Sequence, residues 1–170
     1  MRDFKDLSKE ELLAYVTDAA KNWLAHDGLW FQEVEKAYGI EKANEFNRNA
    51  WEKLTVIEAK RIMKSFGIES GGGLDALEQA LRFRMYAVIN VWKVERPDDK
   101  TLRYLMVDCR VQSARHRKNM TPHPCKPVGL VEYGDFAKTI DPRIKTSCLS
   151  CPPERTTEDY WCGWEFTITD

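Results

Sequence analysis

The 170-residue sequence lacks a surplus of charge of either sign, since 26 Lys and Arg face 27 Asp and Glu for a formal net charge of -1. A chain without such a surplus has no global field that would attract nucleic acid or an anionic membrane. The sequence also lacks an apolar run of about 18 residues, the length that a membrane-spanning helix needs. Its charged N-terminus has no apolar segment typical of a secretory signal. We therefore expect a cytoplasmic protein with no membrane or nucleic-acid partner.

The first half of the chain has a helical pattern. Apolar residues recur at helical spacing as far as about residue 81, and Ser8 and Glu11 have the spacing of a capping box. Asp27-Gly28 is interpreted as a break at which Asp27 caps a second helix. The predicted helices span residues about 8–26, 27–38 and 41–66, and a short one follows Gly71-Gly72-Gly73.

The second half, from about residue 82, changes to the period of β-strands. Arg82–Glu95 and Thr101–Cys109 flank the turn-forming run Arg96–Lys100, which predicts a β-hairpin. Further helices are predicted within 111–119 and 128–140, and further strands at 143–147 and 160–169. We therefore expect one α+β domain over residues 1–170, in which N-terminal helices pack on a mostly antiparallel sheet of about four strands with inserted helices.

Cysteines are the most informative residues present. The chain has five, and four of them lie between Cys125 and Cys162. An odd number excludes complete pairing within the chain, and clustered thiols in a cytoplasmic protein indicate a metal site or redox chemistry before disulfides. Cys148 and Cys151 form a Cys-x-x-Cys pair, a spacing that lets one turn present both sulfurs to one centre.

Two single cysteines complete the predicted cluster. Strand alternation turns Cys162 inward, and a helix start at Cys125 favours the thiolate form that binds metals. We expect a metal site with Cys125, Cys148, Cys151 and Cys162 as its ligands, and we interpret Cys109 as an ordinary buried thiol. Thiolate ligands suit zinc and an iron–sulfur cluster equally, so the cofactor stays undecided between them. A thioredoxin-like pair is disfavoured because Pro152-Pro153, not a helix, follows Cys151.

The junction around Asp27 is a candidate ligand site. His26 and Asp27 would lie at the mouth of a pocket, and Trp30 would form an apolar wall. The alternative makes Asp27 a helix cap and Trp30 a core residue, with His26 merely favoured by the helix dipole.

A second candidate ligand site follows the second strand. Arg110 and Arg115 could clamp a carboxylate or phosphate, because guanidinium groups match such anions. A solvated helix face with Arg110 paired to Asp108 is the alternative. Glu132 and Asp135 are interpreted as solvated surface acids.

Several motifs together carry a resemblance. They are H-D-G-L-W-F at 26–31, I-E-A-K-R-I-M-K at 57–64, D-C-R-V-Q-S-A-R at 108–115, V-G-L-V-E-Y at 128–133, and the late C-x-x-C-P-P and W-C-x-W. They resemble a family of small cytosolic proteins of unknown function from anaerobic bacteria and archaea. More remotely, the layout is similar to L-2-amino-thiazoline-4-carboxylate hydrolase-like proteins and to the 4-vinyl reductase domain. Those relatives imply an α+β ligand-binding fold, metal or small-molecule binding through late cysteines, and a homodimer.

Three functions are therefore expected. The first is a ligand-binding or sensing domain, which holds zinc or an iron–sulfur cluster beside a pocket for a small, anionic molecule. The second is a metal- or thiol-dependent hydrolase of a small amidine or thiazoline carboxylate, in which an arginine holds the carboxylate. The third is a closed, purely structural zinc site.

Overall fold

A computed structural model describes residues 2–169 of the chain. After a short 3-10 turn, the described residues form six α-helices and four β-strands. The helices are α1 Lys9–Tyr38, α2 Ile40–Phe66, α3 Gly73–Arg82, α4 Met85–Ile89, α5 Arg110–Arg117 and α6 Lys126–Ile140. The strands are β1 Val91–Asp98, β2 Thr101–Asp108, β3 Ile144–Ser150 and β4 Cys162–Ile168.

The strands form one antiparallel sheet in the order β1-β2-β4-β3. Trp164 on β4 lies opposite Tyr104 on one neighbouring strand and Cys148 on the other. The predicted hairpin is the pair β1 and β2. The predicted α+β class is confirmed, with helices before the sheet and between its strands.

Helix α6 is the centre of the molecule, because eight of its 15 residues are buried. Thr55 on α2 donates a hydrogen bond of 2.7 Å to the Glu132 carbonyl oxygen on one side of α6. On the other side Tyr133 stacks on Trp164 of the sheet, with 4.9 Å between ring centroids. Gly129 permits this close approach, since a β-carbon there would collide with the Trp164 ring.

The structure differs from the prediction at the Asp27-Gly28 junction, where one continuous helix, α1, replaces two. A helix-interior glycine costs only about 1 kcal/mol relative to alanine, which neighbouring turns can offset. The Gln32 amide also donates a hydrogen bond of 2.9 Å to the Gly28 carbonyl oxygen. The helix begins at the predicted capping box of Ser8 and Glu11.

A second difference lies just before the sheet. The prediction starts a strand at Arg82, whereas residues 85–89 form the short helix α4 and β1 begins at Val91. Tertiary contacts override the β-propensity of this aromatic segment. Tyr86 stacks on Trp51 of α2 at 5.6 Å, and the Trp92 indole donates a hydrogen bond of 3.0 Å to the Ala87 carbonyl oxygen.

None of the helices within residues 2–169 combines the length and the apolar character that a membrane span requires.

Candidate functional site

A cavity of about 390 Å³ opens between the long N-terminal helices, the loop before α6, and the sheet. Aromatic side chains form much of its wall, and several ionisable groups interrupt that wall. The ionisable groups in the wall include Asp27, Cys109, His123, Cys125, Glu132, Cys151 and Cys162. This combination of an apolar wall with a few polar groups is typical of a small-molecule site.

Cys125 lies at the N-cap position of α6 and lines the cavity. The Gln112 amide donates a hydrogen bond of 3.0 Å to its sulfur, and His123 Nδ1 lies 3.3 Å from the same atom. Hydrogen bonding with Cys151, His123 and Gln112 lowers the pKa of Cys125 well below its ordinary value, although burial opposes the change. The positive end of α6 also favours a thiolate there.

His123 connects that sulfur to a second side chain. Its Nε2 atom lies 2.7 Å from Asn44 Oδ1, while Asn44 Nδ2 donates a hydrogen bond of 2.8 Å to the Pro124 carbonyl oxygen. Because Asn44 uses its NH₂ group on Pro124, its oxygen must accept from His123 Nε2–H. The other ring nitrogen, Nδ1, faces the Cys125 sulfur.

Gln112 fixes the backbone of this segment. It is 2% exposed, its Nε2 donates a 2.8 Å hydrogen bond to the His123 carbonyl oxygen, and its Oε1 accepts a 3.0 Å bond from the His123 amide. Phe31 packs edge-on against the imidazole at 4.6 Å. A thiol, an imidazole base and an orienting amide are thus held in the relative order of a Cys-His-Asn catalytic triad, an arrangement recognised by geometry and not by sequence position.

The other predicted metal ligands lie beside this triad. Cys151 is 1% exposed, and interactions with the Cys125 and Cys162 thiols, together with burial, raise its pKa. Cys148 is not part of the cavity wall, and burial raises its pKa. The Lys126 amide donates a 3.0 Å hydrogen bond to the Pro152 carbonyl oxygen, so the two cysteine-bearing segments are joined through their backbones.

All five cysteines are free thiols. Within residues 2–169, no group of three or more His, Cys, Asp or Glu side chains is arranged to hold a metal ion. The four-thiolate metal centre therefore stays a prediction. Cys109, interpreted as an ordinary buried thiol, is partly buried and also lines the cavity, and burial raises its pKa.

A buried ion network reaches the cavity wall through Glu132. Arg84 is 1% exposed and donates hydrogen bonds of 3.0 Å to Glu58 and 2.7 Å to Glu132. Burial raises the pKa of Glu132 to about 7, although Arg84 opposes that rise. The interpretation of Glu132 as a solvated surface acid is wrong, because α6 is the central helix and this face of it is covered by α2.

The predicted pocket residues on α1 are separated by the continuous helix. Asp27 lines the cavity, whereas His26 and Trp30 are not part of its wall, and Trp30 is 65% exposed. The wall positions Leu24, Gly28 and Phe31 recur at helical spacing on one face of α1. His26 and Trp30 are four positions apart and share the opposite face of the helix.

The two predicted arginines both line the cavity but differ in their bonding. Arg115 is 5% exposed and binds Glu35 through two hydrogen bonds of 2.7 and 2.8 Å, with a further bond of 2.6 Å to the Thr121 carbonyl oxygen. Its guanidinium group is therefore committed to the protein. Arg110 is exposed at the N-terminus of α5.

Three residues of the site, Asn44, Gln112 and His123, are not among those that the sequence predicts. The spacing His123-Pro124-Cys125 was the available signal, because it places an imidazole two residues from a thiol. Nothing local indicates Asn44, which lies 79 positions from His123.

A family model described as a family of unknown function (DUF6125) matches residues 5–168. The chain therefore belongs to this family. No curated protein matches the chain.

Proposed function

Since the family has no assigned activity, we propose a function from the cavity: thiol-dependent hydrolysis of a small molecule, with Cys125 as nucleophile and His123 as general base. The observation that carries the proposal is the continuous set of contacts from Asn44 through His123 to the Cys125 sulfur. A nucleophile next to a base that a third group orients is the diagnostic arrangement for covalent catalysis.

The first half of the reaction forms an acyl-enzyme. The Cys125 sulfur bonds to an electrophilic carbon of the substrate while His123 Nδ1 takes the thiol proton. The intermediate then collapses, the bond to the leaving nitrogen or oxygen breaks, and His123 donates its proton to that atom. The leaving group departs as a neutral amine or alcohol.

The second half regenerates the thiol. Water attacks the thioester carbon as His123 accepts one of its protons, the carbon–sulfur bond breaks, and the proton returns to the Cys125 sulfur. Asn44 keeps Nδ1 directed at the sulfur throughout, because it holds the opposite nitrogen. The reaction consumes one water molecule and releases a carboxylic acid from an acyl substrate, or an amide from an imidoyl substrate.

The substrate class is a small compound with an acyl or imidoyl carbon. This class includes the amidine and thiazoline carboxylates that the remote resemblance implies. A reducing, cytoplasmic location is part of the proposal, because free thiols persist there. The homodimer that the resemblance implies is also retained, as a proposal.

The acyl-enzyme provides the direct test. We expect p-nitrophenyl acetate to release a burst of p-nitrophenol and to leave one acetyl group on the peptide that contains Cys125. Cys125→Ser should abolish both the burst and the acetylated peptide, while Cys109→Ser should retain them. Acetylation spread over several cysteines, with no burst, would exclude Cys125 as the nucleophile.

A cysteine-ligated metal is the second candidate function, because the Cys151 thiol interacts with the thiols of Cys125, Cys162 and Cys148. Thiolates are ligands that zinc and iron–sulfur clusters both take. When bound, the metal would hold all four sulfurs as thiolates and would stabilise the fold. Residues 123 to 125 would then position a ligand instead of activating a nucleophile.

Metal analysis and a visible absorption spectrum of protein purified without oxygen separate the two candidates. Stoichiometric metal, together with a far larger loss of thermal stability in Cys151→Ser than in Cys109→Ser, would support the metal centre. Metal-free protein with a reactive Cys125 would support the hydrolase.

A further inference from the structure

We propose that the cavity selects a small cationic substrate, whose charged N–H group binds Asp27 and whose hydrogen-bond acceptor binds the Trp164 indole. The inference rests on the proposed function, since it names the substrate class of the same site. The inference is based on two polar groups that lack protein partners, the hydrogen-bond acceptor Asp27 and the hydrogen-bond donor Trp164.

Asp27 is the unpartnered acceptor. Its carboxylate lines the cavity and has no hydrogen bond or ion pair with any residue in the described part of the chain, 2–169. Burial raises its pKa, while the nearby His123 and His26 oppose that rise. A partly buried carboxylate without a donor is costly unless a ligand supplies one.

Trp164 is the unpartnered donor. The residue is 1% exposed, lines the cavity, and its Nε1 atom has no hydrogen-bond partner among residues 2–169. A buried indole N–H in a native protein almost always finds an acceptor. An acceptor atom of the substrate, such as the oxygen or nitrogen on the carbon that Cys125 attacks, would satisfy it.

The charge of the inner wall also favours a cation. Arg84 is the one guanidinium between two carboxylates, Glu58 and Glu132, and Glu132 itself lines the cavity. Asp27 adds another acidic group without a cation of its own. In the low-dielectric part of the wall the Asp27 carboxylate attracts a positive group more strongly than it would in water.

The aromatic part of the wall is suited to the same ligand. Trp51, Tyr86 and Tyr133 line the cavity, and ring faces attract cations. Two of these rings already pack on a cation, since the Arg84 guanidinium carbon lies 5.7 Å from the Trp51 centroid and 5.2 Å from that of Tyr133.

Basic groups in the wall are largely committed to protein partners. Arg115 binds Glu35, and Lys118 Nζ donates a hydrogen bond of 2.9 Å to Gln32. Arg110 and Arg117 are exposed at the mouth of the cavity, where solvent screens them. An anionic substrate would therefore depend on arginines that solvent screens. A cationic substrate would instead contact the Asp27 carboxylate and the aromatic rings of the cavity.

Charged thiol reagents test this preference on the full chain. We would measure the rate at which Cys125 reacts with trimethylammonioethyl and sulfonatoethyl methanethiosulfonate, and divide each by the rate for free cysteine. We expect the cationic reagent to be favoured by roughly 10-fold or more. Asp27→Asn should reduce this ratio several-fold, whereas Glu33→Gln, which removes an exposed charge from the same helix, should leave it unchanged.

The outcomes separate this inference from the proposed function. A fast reaction of Cys125 that shows no charge preference, or a preference for the anion, would overturn the inference and leave the nucleophile intact. Failure of Cys125 to react with either reagent, while other cysteines do react, would overturn both.

The indole has a readout of its own. The Nε1–H NMR signal of Trp164, assigned by its loss in Trp164→Phe, should shift when Cys125 is acetylated. The other tryptophan indoles should not move. An unchanged Trp164 signal would mean that no acceptor atom of the bound group contacts the indole N–H.

Discussion

Two polar networks border the same cavity and differ in where their hydrogen bonds end. The network of Arg84, Glu58 and Glu132 is closed, because the guanidinium and the carboxylates bind one another. The network of Asn44, His123 and Cys125 is open, because it ends in a sulfur that lines the cavity. A closed network stabilises the fold, whereas an open one is available to a ligand.

Two aspartates show the same contrast. Asp141 is fully buried and accepts hydrogen bonds from the Gly73 amide at 3.0 Å and from the amide and side chain of Arg143. Asp27 has no such partner within residues 2–169. We therefore expect substitutions in the closed group to change stability, and substitutions in the open group to change reactivity.

Arg84→Met should have the largest effect. It would leave the Glu58 and Glu132 carboxylates buried without a cation, a loss that costs about 3–5 kcal/mol. Urea unfolding followed by tryptophan fluorescence measures it. The matched control is Arg96→Met, whose ion pairs with Asp75 and Glu78 are partly exposed and are worth about 0.2–1 kcal/mol. Equal losses for the two variants would contradict the division into closed and open networks.

His123→Ala should have the next largest effect, which should fall on the reaction rate and not on the stability of the fold. Loss of the general base should slow turnover of p-nitrophenyl acetate by roughly 100-fold. Added imidazole should restore part of the rate, because the vacated space lies next to the Cys125 sulfur. His116→Ala, on an exposed histidine of α5, should leave the rate unchanged. If the rate falls only because the variant unfolds, and imidazole does not restore it, His123 stabilises the fold and does not act as a base.

Asp141→Asn should have the smallest effect, and the effect should depend on pH. Hydrogen bonds from Arg143 lower the pKa of Asp141 to about 2. A depressed pKa stabilises the folded state above the ordinary aspartate pKa, and that contribution disappears as the pH falls through about 2. At neutral pH the variant should lose about 1–3 kcal/mol, and wild type and variant should converge in acid. A constant difference from neutral pH to pH 2 would contradict this assignment.

Much of the fold could be predicted because its signals are local. The capping box of Ser8 and Glu11, the turn between β1 and β2, and the alternation along β4 each involve neighbouring residues. The Asp27-Gly28 junction was misread because its local turn chemistry is weaker than the preference of the flanking turns for one helix. The segment before β1 was misread because packing of Tyr86 on Trp51 outweighs its β-propensity.

The site could be predicted only in part, because most of its contacts join residues that are far apart in the sequence. Clustering in the sequence indicated Cys125, and helix α6 does begin just after it. Asn44 comes from α2 and Gln112 from α5, and only folding brings them to His123. No periodicity or spacing in the sequence encodes a hydrogen bond across 79 positions.

The most direct test of the central claim is the pH dependence of Cys125 alkylation by iodoacetamide, followed by peptide mass mapping of metal-free protein. The contacts with Cys151, His123 and Gln112 lower the pKa of this thiol, so we expect a rate midpoint below that of an ordinary thiol. His123→Ala should move the midpoint upward. A wild-type midpoint at or above about 8.5, the value of an ordinary thiol, or faster alkylation of another cysteine, would contradict the assignment of Cys125 as the activated nucleophile.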